Sequence, residues 1–274
     1  MNPDELRGGP TYHVRVFRTG RCRILGPYAY HSYARDRDHE FTLYVSVVQG
    51  NGITALVDVG MASVAQMNRD AGFLMSEKIV QAPGEDVLSI VACAGVVPEA
   101  IDFVLLTHCH YDHCSNLALF PNATVVIPAT AWRLWHEDPE NRIYLHAGFL
   151  DELTALKAQG RLRLLDEGMV APGLGVRWVG GHSICSQFIY VNTQKRLVLF
   201  SGDTVQMYKN VELDDPVAIC HDVVQCREAL ALVRTDVDVL IPGHDPKILS
   251  RFPDGWVAKN SINISLGGTV HGEG

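Results

Sequence analysis

The sequence predicts an α/β fold in which strand ends carry the chemistry. Three observations lead there. Short apolar runs such as Ile101–Leu106 and Val237–Ile241 read as buried strands. Other stretches, Glu85–Ala94 and Asp151–Gln159 among them, read as helices between the strands. Several strands stop at turns that hold Asp or His beside Gly, where open α/β sheets gather their functional groups. A chain of 274 residues suits one domain near the upper size limit, and a single domain over 1–274 is expected.

Composition narrows the class. Hydrophobic residues make up 47% and charged residues 20%, ordinary for a globular protein. A net charge of −8 argues against a nucleic-acid surface, which needs a basic patch. No apolar run is long enough for a membrane span. The first residues, Met1–Arg7, lack the apolar core of a secretory signal. The seven cysteines form no Cys-x-x-Cys pair, so reduced thiols and a cytoplasmic location are expected.

Residues 1–12 read as a frayed lead-in. His13–Phe17 and Cys22–Leu25 alternate on either side of Thr19-Gly20 and read as a hairpin. Tyr28–Phe41 is polar, aromatic and too long for a simple turn. It reads as a lid, a contact that would make a homodimer, or a solvated loop, with His31 and His39 on the surface. Thr42–Val48 is a strand, Gly50–Gly52 a turn, and Ile53–Gly60 a strand ending in Asp58 and glycine. Asp58 needs a partner at the end of an apolar run, and an imidazole N–H is a good one. Met61–Met75 reads as helical, with Met67, Phe73, Leu74 and Met75 packing in the core or lining a pocket.

The strand Ile101–Leu106 leads into Thr107-His108-Cys109-His110-Tyr111-Asp112-His113-Cys114. In an extended loop His108 and His110 point the same way and can hold one ion. Asp112 and His113 leave the following turn together and can hold a second. Imidazole and carboxylate without thiolate suit a catalytic zinc, iron, manganese or cobalt better than a closed structural zinc. Cys109 and Cys114 read as small packing residues.

Further on, Ala123–Ile127 is a strand, and Pro128 opens a helix with Trp132 and Trp135. His136 and His146 lie in the aromatic segment that follows and are weak candidates for extra ligands. Arg161–Leu165 and Val176–Val179 are strands, the latter closed by Gly180-Gly181-His182-Ser183. Gln187–Asn192 and Arg196–Phe200 form a hairpin, followed by Ser201-Gly202-Asp203-Thr204. Ile219–Arg234 is a helix, and Val237–Ile241 a strand that ends in Pro242-Gly243-His244-Asp245. Residues 252–274 are left as a tail.

The run His-x-His-x-Asp-His, with His182, Asp203 and His244 following in that order, resembles the signature of the metallo-β-lactamase-fold hydrolases over roughly residues 40–250. The resemblance implies an αββα sandwich, two mixed sheets flanked by helices. It implies two divalent ions, with zinc as the leading choice and iron, manganese or cobalt as substitutes. His108, His110 and His182 would hold one ion, and Asp112, His113 and His244 the other, with Asp203 bridging. Asp58 would orient a ligating histidine.

The set is most similar to that of N-acyl homoserine lactonases. It implies a small-molecule lactone or ester substrate, opened by a hydroxide held between the ions. Asp112 and Tyr208 are the candidate catalytic residues. In these lactonases a tyrosine stands three residues after the bridging Asp. Here that position is Gln206, and Tyr208 lies two further on, either reaching the substrate through a bulge or serving structure. The alternatives are a thioesterase resembling glyoxalase II, against which the tail reads as too short for the helical thiol-binding domain such enzymes append, or a hydrolase of another cyclic ester or amide.

Overall fold

The computed structural model describes residues 3–259. Two sheets pack face to face. The first contains β1 (His13–Ile24), β2 (His39–Gly50), β3 (Ile53–Val57), β4 (Met75–Val80), β5 (Phe103–Leu105), β6 (Thr124–Ile127) and β7 (Leu162–Leu164). The second contains β8 (Glu167–Ala171), β9 (Leu174–Trp178), β10 (Gln187–Asn192), β11 (Leu197–Gly202) and β12 (Val239–Pro242). A last strand, β13 (Trp256–Ala258), returns to the first sheet, whose order is β13-β1-β2-β3-β5-β6-β7, with β4 also on β1. The second runs β12-β11-β10-β9-β8.

Three apolar layers follow from this stacking. The outer face of the first sheet packs Leu56, Val104 and Val125 against the helices Val87–Cys93, Ala129–Glu137 and Phe149–Ala158. The middle layer joins the sheets through Val14, Val57, Leu105, Ile189, Val198 and Ile241. The outer face of the second sheet packs Phe188, Tyr190 and Leu199 against Ala229, Leu230 and Val233 of the helix Val223–Asp236. The αββα sandwich is therefore present. Strands β10 and β11 are buried along their whole length, as expected for strands covered on both faces.

Four expectations are corrected. Residues 13–24 form one strand, not a hairpin. Thr19 is the extra residue of a bulge, with Arg18 opposite Tyr44 and Gly20 opposite Leu43, so the chain keeps its direction through Thr19-Gly20. The lead-in is structured: Pro3–Arg7 is helical, with Leu6 buried against the second sheet and Arg7 paired with Asp238. Met75–Val80 is a strand on β1, and the helical part before it is the helix Val64–Asp70 followed by a 3₁₀ turn at Gly72–Leu74. Part of the supposed tail is in the fold, since Trp256–Ala258 pairs with β1; residues 260–274 lie outside the described residues. Among the described residues no helix is long and apolar enough to cross a membrane.

Parallel pairing positions the site. β3 runs parallel to β5, and β11 parallel to β12, so the C-terminal ends within each pair lie together. The helix Val87–Cys93 behind β5 starts at Asp86, whose carboxylate accepts from the Ser89 amide at 2.9 Å and the Ser89 hydroxyl at 2.6 Å. The Ser89 hydroxyl and amide hold that carboxyl below its ordinary 3.8. Asp86→Ala should therefore cost about 1 kcal/mol at neutral pH. A depressed folded pKa contributes stability above the unfolded value and loses it as pH falls through the folded one. Urea unfolding of the two proteins should differ at pH 7 and converge in acid; equal midpoints at pH 7 would remove the cap.

Candidate metal centre

Every sequence-predicted ligand stands just past a strand end. His108–His113 follow β5, His182 lies between β9 and β10, Asp203 follows β11, and His244 follows β12. The cluster loop is pinned from both sides. Thr107 O accepts from the Gln187 amide at 2.8 Å, and Leu106 O accepts from Gln187 Nε2 at 2.7 Å, which ties the second sheet to the loop. His113 O accepts from the Val59 amide at 2.8 Å. The second sheet also comes close to the loop where Gly202, at φ +49°, faces Thr107. A Cβ on Gly202 would sit 2.5 Å from the Thr107 side chain, so only glycine serves there.

Asp58 has the imidazole partner expected of it. It sits at φ +59°, a left-handed conformation costly for a residue other than glycine, and three donors hold it there. Oδ1 accepts from the Thr107 amide at 2.7 Å, and Oδ2 accepts from the Thr107 hydroxyl at 2.8 Å and His113 Nδ1 at 2.8 Å.

The other rings are oriented the same way. His182 Nδ1 donates to Ile219 O at 2.7 Å, and His244 Nδ1 donates to Thr42 O at 3.2 Å. Carbonyls only accept, so both rings carry a proton on Nδ1; the neutral His182 ring keeps its lone pair on Nε2, whereas His244 Nε2 faces the Asp203 carboxylate at 2.9 Å. Phe41 stacks on His244 with ring centroids 5.0 Å apart.

The donors converge in three overlapping groups: His108, His110 and His182; His108, His113 and Asp203; and Asp112, His113 and His244. Within each group all ligand atoms lie within 4.8 Å of one another. Nε2 of His108, His110 and His113 and Oδ1 of Asp203 are buried without a hydrogen-bond partner. Orphaned polar atoms are expensive inside a protein. His108, His113 and Asp203 form one of the three donor groups, and His110 Nδ1 lies 3.0 Å from His182 Nε2 in another, so donors of metal-binding type are gathered in a way that fits a site for divalent ions.

The electrostatics divide the set. Burial holds His108 well below its ordinary pKa, brings His110 down to about 3 and lowers His182, so these rings are neutral donors. Burial also opposes charge on His113 and His244, but carboxylates outweigh it. Asp112, Asp58 and Asp203 raise His113, and Asp203 with Asp112 raises His244. Burial opposes ionisation of Asp112 and Asp203 as well, yet His113 and His244 bring Asp112 to about 2 and Asp203 well below its ordinary value.

Tyr208 is a correction. Its hydroxyl donates to Leu240 O at 3.1 Å, its ring packs in the layer between the sheets, and Arg251 lies over the ring at 3.7 Å. Residues 203–207 make a turn and a bend, and the Asp245 carboxylate accepts from the Tyr208 amide at 2.8 Å where the helix Tyr208–Leu213 begins. The residue that reaches the site is Gln206, whose Nε2 donates to Asp203 Oδ2 at 3.0 Å. His136 stays outside, its Nδ1 on Trp132 O, whereas His146 lines the cavity described next without joining a donor group. Cys109 and Cys114 are buried packing residues.

A cavity of about 630 Å³ opens beside the donors. His110, Asp112, His182, Asp203 and His244 form its polar end. The wall is apolar, from Ile24 of β1, Phe41 and Leu43 of β2, Met67, Met75 and Ile79. Phe73 and Leu74 line it too, so the Met- and Phe-rich segment is pocket wall. Ile143 and Leu145, which carry no motif, complete it. Tyr28 and Phe41 also contribute, and the loop between them is anchored by Asp215, which accepts from the Ser32 and Tyr33 amides.

The model of the metallo-beta-lactamase superfamily matches residues 41–244, a span that holds all seven donors. The chain belongs to this superfamily. An N-acyl homoserine lactonase of Bacillus cereus is 26% identical over 168 residues, 60% of this chain and 64% of that enzyme, so the match spans less than two thirds of the relative. An N-acyl homoserine lactone hydrolase solved with N-hexanoyl-L-homoserine at its catalytic metal centre superposes with a TM-score of 0.72 at 18% identity, over 87% of this chain and 95% of that one. AidC, a dizinc quorum-quenching lactonase, gives 0.61 at 15% identity, over 92% and 96%. These likenesses show that the superfamily fold extends beyond the matched segment.

Asp58→Ala should weaken metal binding by about 10–100-fold, because it frees the His113 ring and leaves its Nδ1 unpaired. Metal content after dialysis against graded chelator measures this, and unchanged retention would deny Asp58 its role. Tyr208→Phe should leave turnover unchanged while costing about 1 kcal/mol of stability for the bond to Leu240 O. A large fall in kcat with stability intact would restore Tyr208 to the site.

Proposed function

We propose that this protein is a dinuclear metal hydrolase that opens a lactone or a related ester. The observation that carries the reading is the convergence of seven His and Asp donors, five of them buried and His110 and Asp112 partly so, at the polar end of an apolar cavity. His108, His110 and His182 would hold one ion, and Asp112, His113 and His244 the other, and Asp203 would lend its carboxylate to both. Zinc is the leading choice, supported by the dizinc lactonase of the same fold. Ions bound there would lower the pKa of water to roughly 7 and polarise an ester carbonyl.

The chain's own residues do the rest. Asp58, Ile219 O and Thr42 O fix the imidazole orientations, so the donors are set before any ion arrives. The apolar wall excludes water and takes up a flexible carbon chain, with Met67 and Met75 adapting to its shape. An acyl homoserine lactone suits this division between polar floor and apolar wall, and the lactonases among the relatives support it. A glyoxalase II-type thioesterase is the second reading, favoured by the donor set alone. The seven free cysteines fit a reducing cytoplasm.

The deciding experiment follows proton release by metal-loaded protein on N-hexanoyl homoserine lactone, an aryl ester and a glutathione thioester. Fast lactone opening, lost on chelation and regained with zinc, is expected. Thioester cleavage with an inert lactone would replace the substrate class. Asp112→Asn should abolish turnover while circular dichroism stays native; retained activity would sink the two-ion reading.

A further inference from the structure

Three tyrosines line the cavity, and their surroundings differ. Tyr28 meets Phe73 edge to face with ring centroids 6.4 Å apart, and Tyr111 meets His146 in the same way at 5.3 Å. Tyr144 alone of the three has its ring against a metal donor, with its centroid 5.7 Å from that of His110. It is also the one exposed member, at 57%, so an incoming molecule has open access to the phenol. Among the described residues none shares a hydrogen bond with its hydroxyl.

The backbone on either side of Tyr144 is held in place. Before it, Arg142 Nε donates to Trp135 O, and Asn141 Nδ2 donates to Leu134 O at 3.1 Å, which ties the segment to the end of the helix Ala129–Glu137. The Leu145 amide donates to Arg142 O at 2.9 Å and closes the turn around Tyr144. After it, the His146 ring rests on Tyr111 and Phe149. An anchored turn thus sets an uncommitted phenol beside His110, at the polar end of the cavity. Gln206, the neutral amide at that end, already spends its nitrogen on Asp203.

We propose that Tyr144 is a catalytic residue whose hydroxyl donates a hydrogen bond to the scissile carbonyl oxygen as that oxygen gains charge, on the His110 side of the site. When hydroxide adds to an ester carbonyl, negative charge develops on the carbonyl oxygen, and a donor set in advance at that place lowers the barrier. The proton stays on the phenol throughout, and no bond to Tyr144 forms or breaks. The hydrogen bond strengthens as the charge grows, so its effect falls on kcat more than on KM. The proposal rests on the ester- or lactone-hydrolase reading and adds to it a donor that no sequence motif marks.

The test compares zinc-loaded wild type with Tyr144→Phe, which keeps the ring against His110 and removes only the hydroxyl. The substrates are N-hexanoyl homoserine lactone and a series of hexanoate esters whose leaving groups run from acidic phenols to simple alcohols. In Tyr144→Phe kcat should fall at least about tenfold with KM little changed, a smaller loss than a fully enclosed donor gives because the phenol is partly exposed. The loss should be the same across the ester series, since the hydroxyl acts on the carbonyl oxygen and not on the departing one. Calorimetry of a hexylphosphonate monoester, whose tetrahedral anionic oxygens imitate the charged carbonyl oxygen, gives a second readout without turnover. The variant should bind it more weakly by a similar factor while its zinc content stays equal to that of wild type.

Equal kcat in the two proteins, or equal affinity for the phosphonate, would overturn the proposal and leave Tyr144 as part of the apolar rim. A loss that grows as the leaving group becomes more basic would overturn it too, because the hydroxyl would then serve the departing oxygen. Turnover by wild type that Tyr144→Phe does not change keeps the hydrolase reading and removes only the tyrosine. Wild type inert on the lactone and on every ester would sink that reading, and the proposal with it.

Discussion

A carboxylate buried at the end of a strand must be surrounded by donors or give up its charge, and the site is arranged around how Asp58 meets that demand. Its three donors belong to Thr107 and His113, about fifty positions further along the chain. Satisfying Asp58 therefore fixes where the cluster loop leaves β5 and which way the His113 ring turns. It also holds the loop within reach of the second sheet, where Gln187 takes the neighbouring carbonyls and Gly202 lets the backbone close in. The left-handed strain at Asp58 is tolerated because releasing it would leave an unpaired charge in the interior.

The fold and the donor positions could be read from the sequence because both follow short-range rules. Strands β10 to β12 are apolar runs bounded by turn residues, and Asp203 and His244 sit one and two positions past β11 and β12, while the other ligands lie in the loops after β5 and β9. Thr19-Gly20 misled because a bulge and a turn use similar residues, and only pairing with β2 distinguishes them. Met75–Val80 was missed because Ser76, Glu77 and Lys78 give an exposed edge strand no apolar signature. Leu6 was hidden for a related reason: a single apolar residue in a polar segment gains meaning only from the hollow it fills on the second sheet.

The site shows the same division. His108, His110, Asp112 and His113 announce themselves by density, and His182, Asp203 and His244 by order. Tyr208 was chosen by proximity in sequence, but the direction of a side chain after a strand end depends on what caps the next element. Here the Asp245 carboxylate caps it and turns the phenol into the core. No local pattern shows that Gln206 reaches Asp203, or that Ile143 and Leu145 close the cavity, because those contacts join segments far apart in the chain.

One edge of β1 is shared. β4 covers its Arg21–Ile24 half, and β13 covers Val14 and Arg15. During synthesis the first cover arrives early, but the second waits for some 240 further residues. Until then part of an apolar sheet presents open backbone donors and acceptors, a template for pairing with another nascent chain. Truncation ahead of Trp256 would leave the metal donors in place and still expose that edge, so aggregation during expression, rather than loss of chemistry, would be the first symptom of a shortened chain.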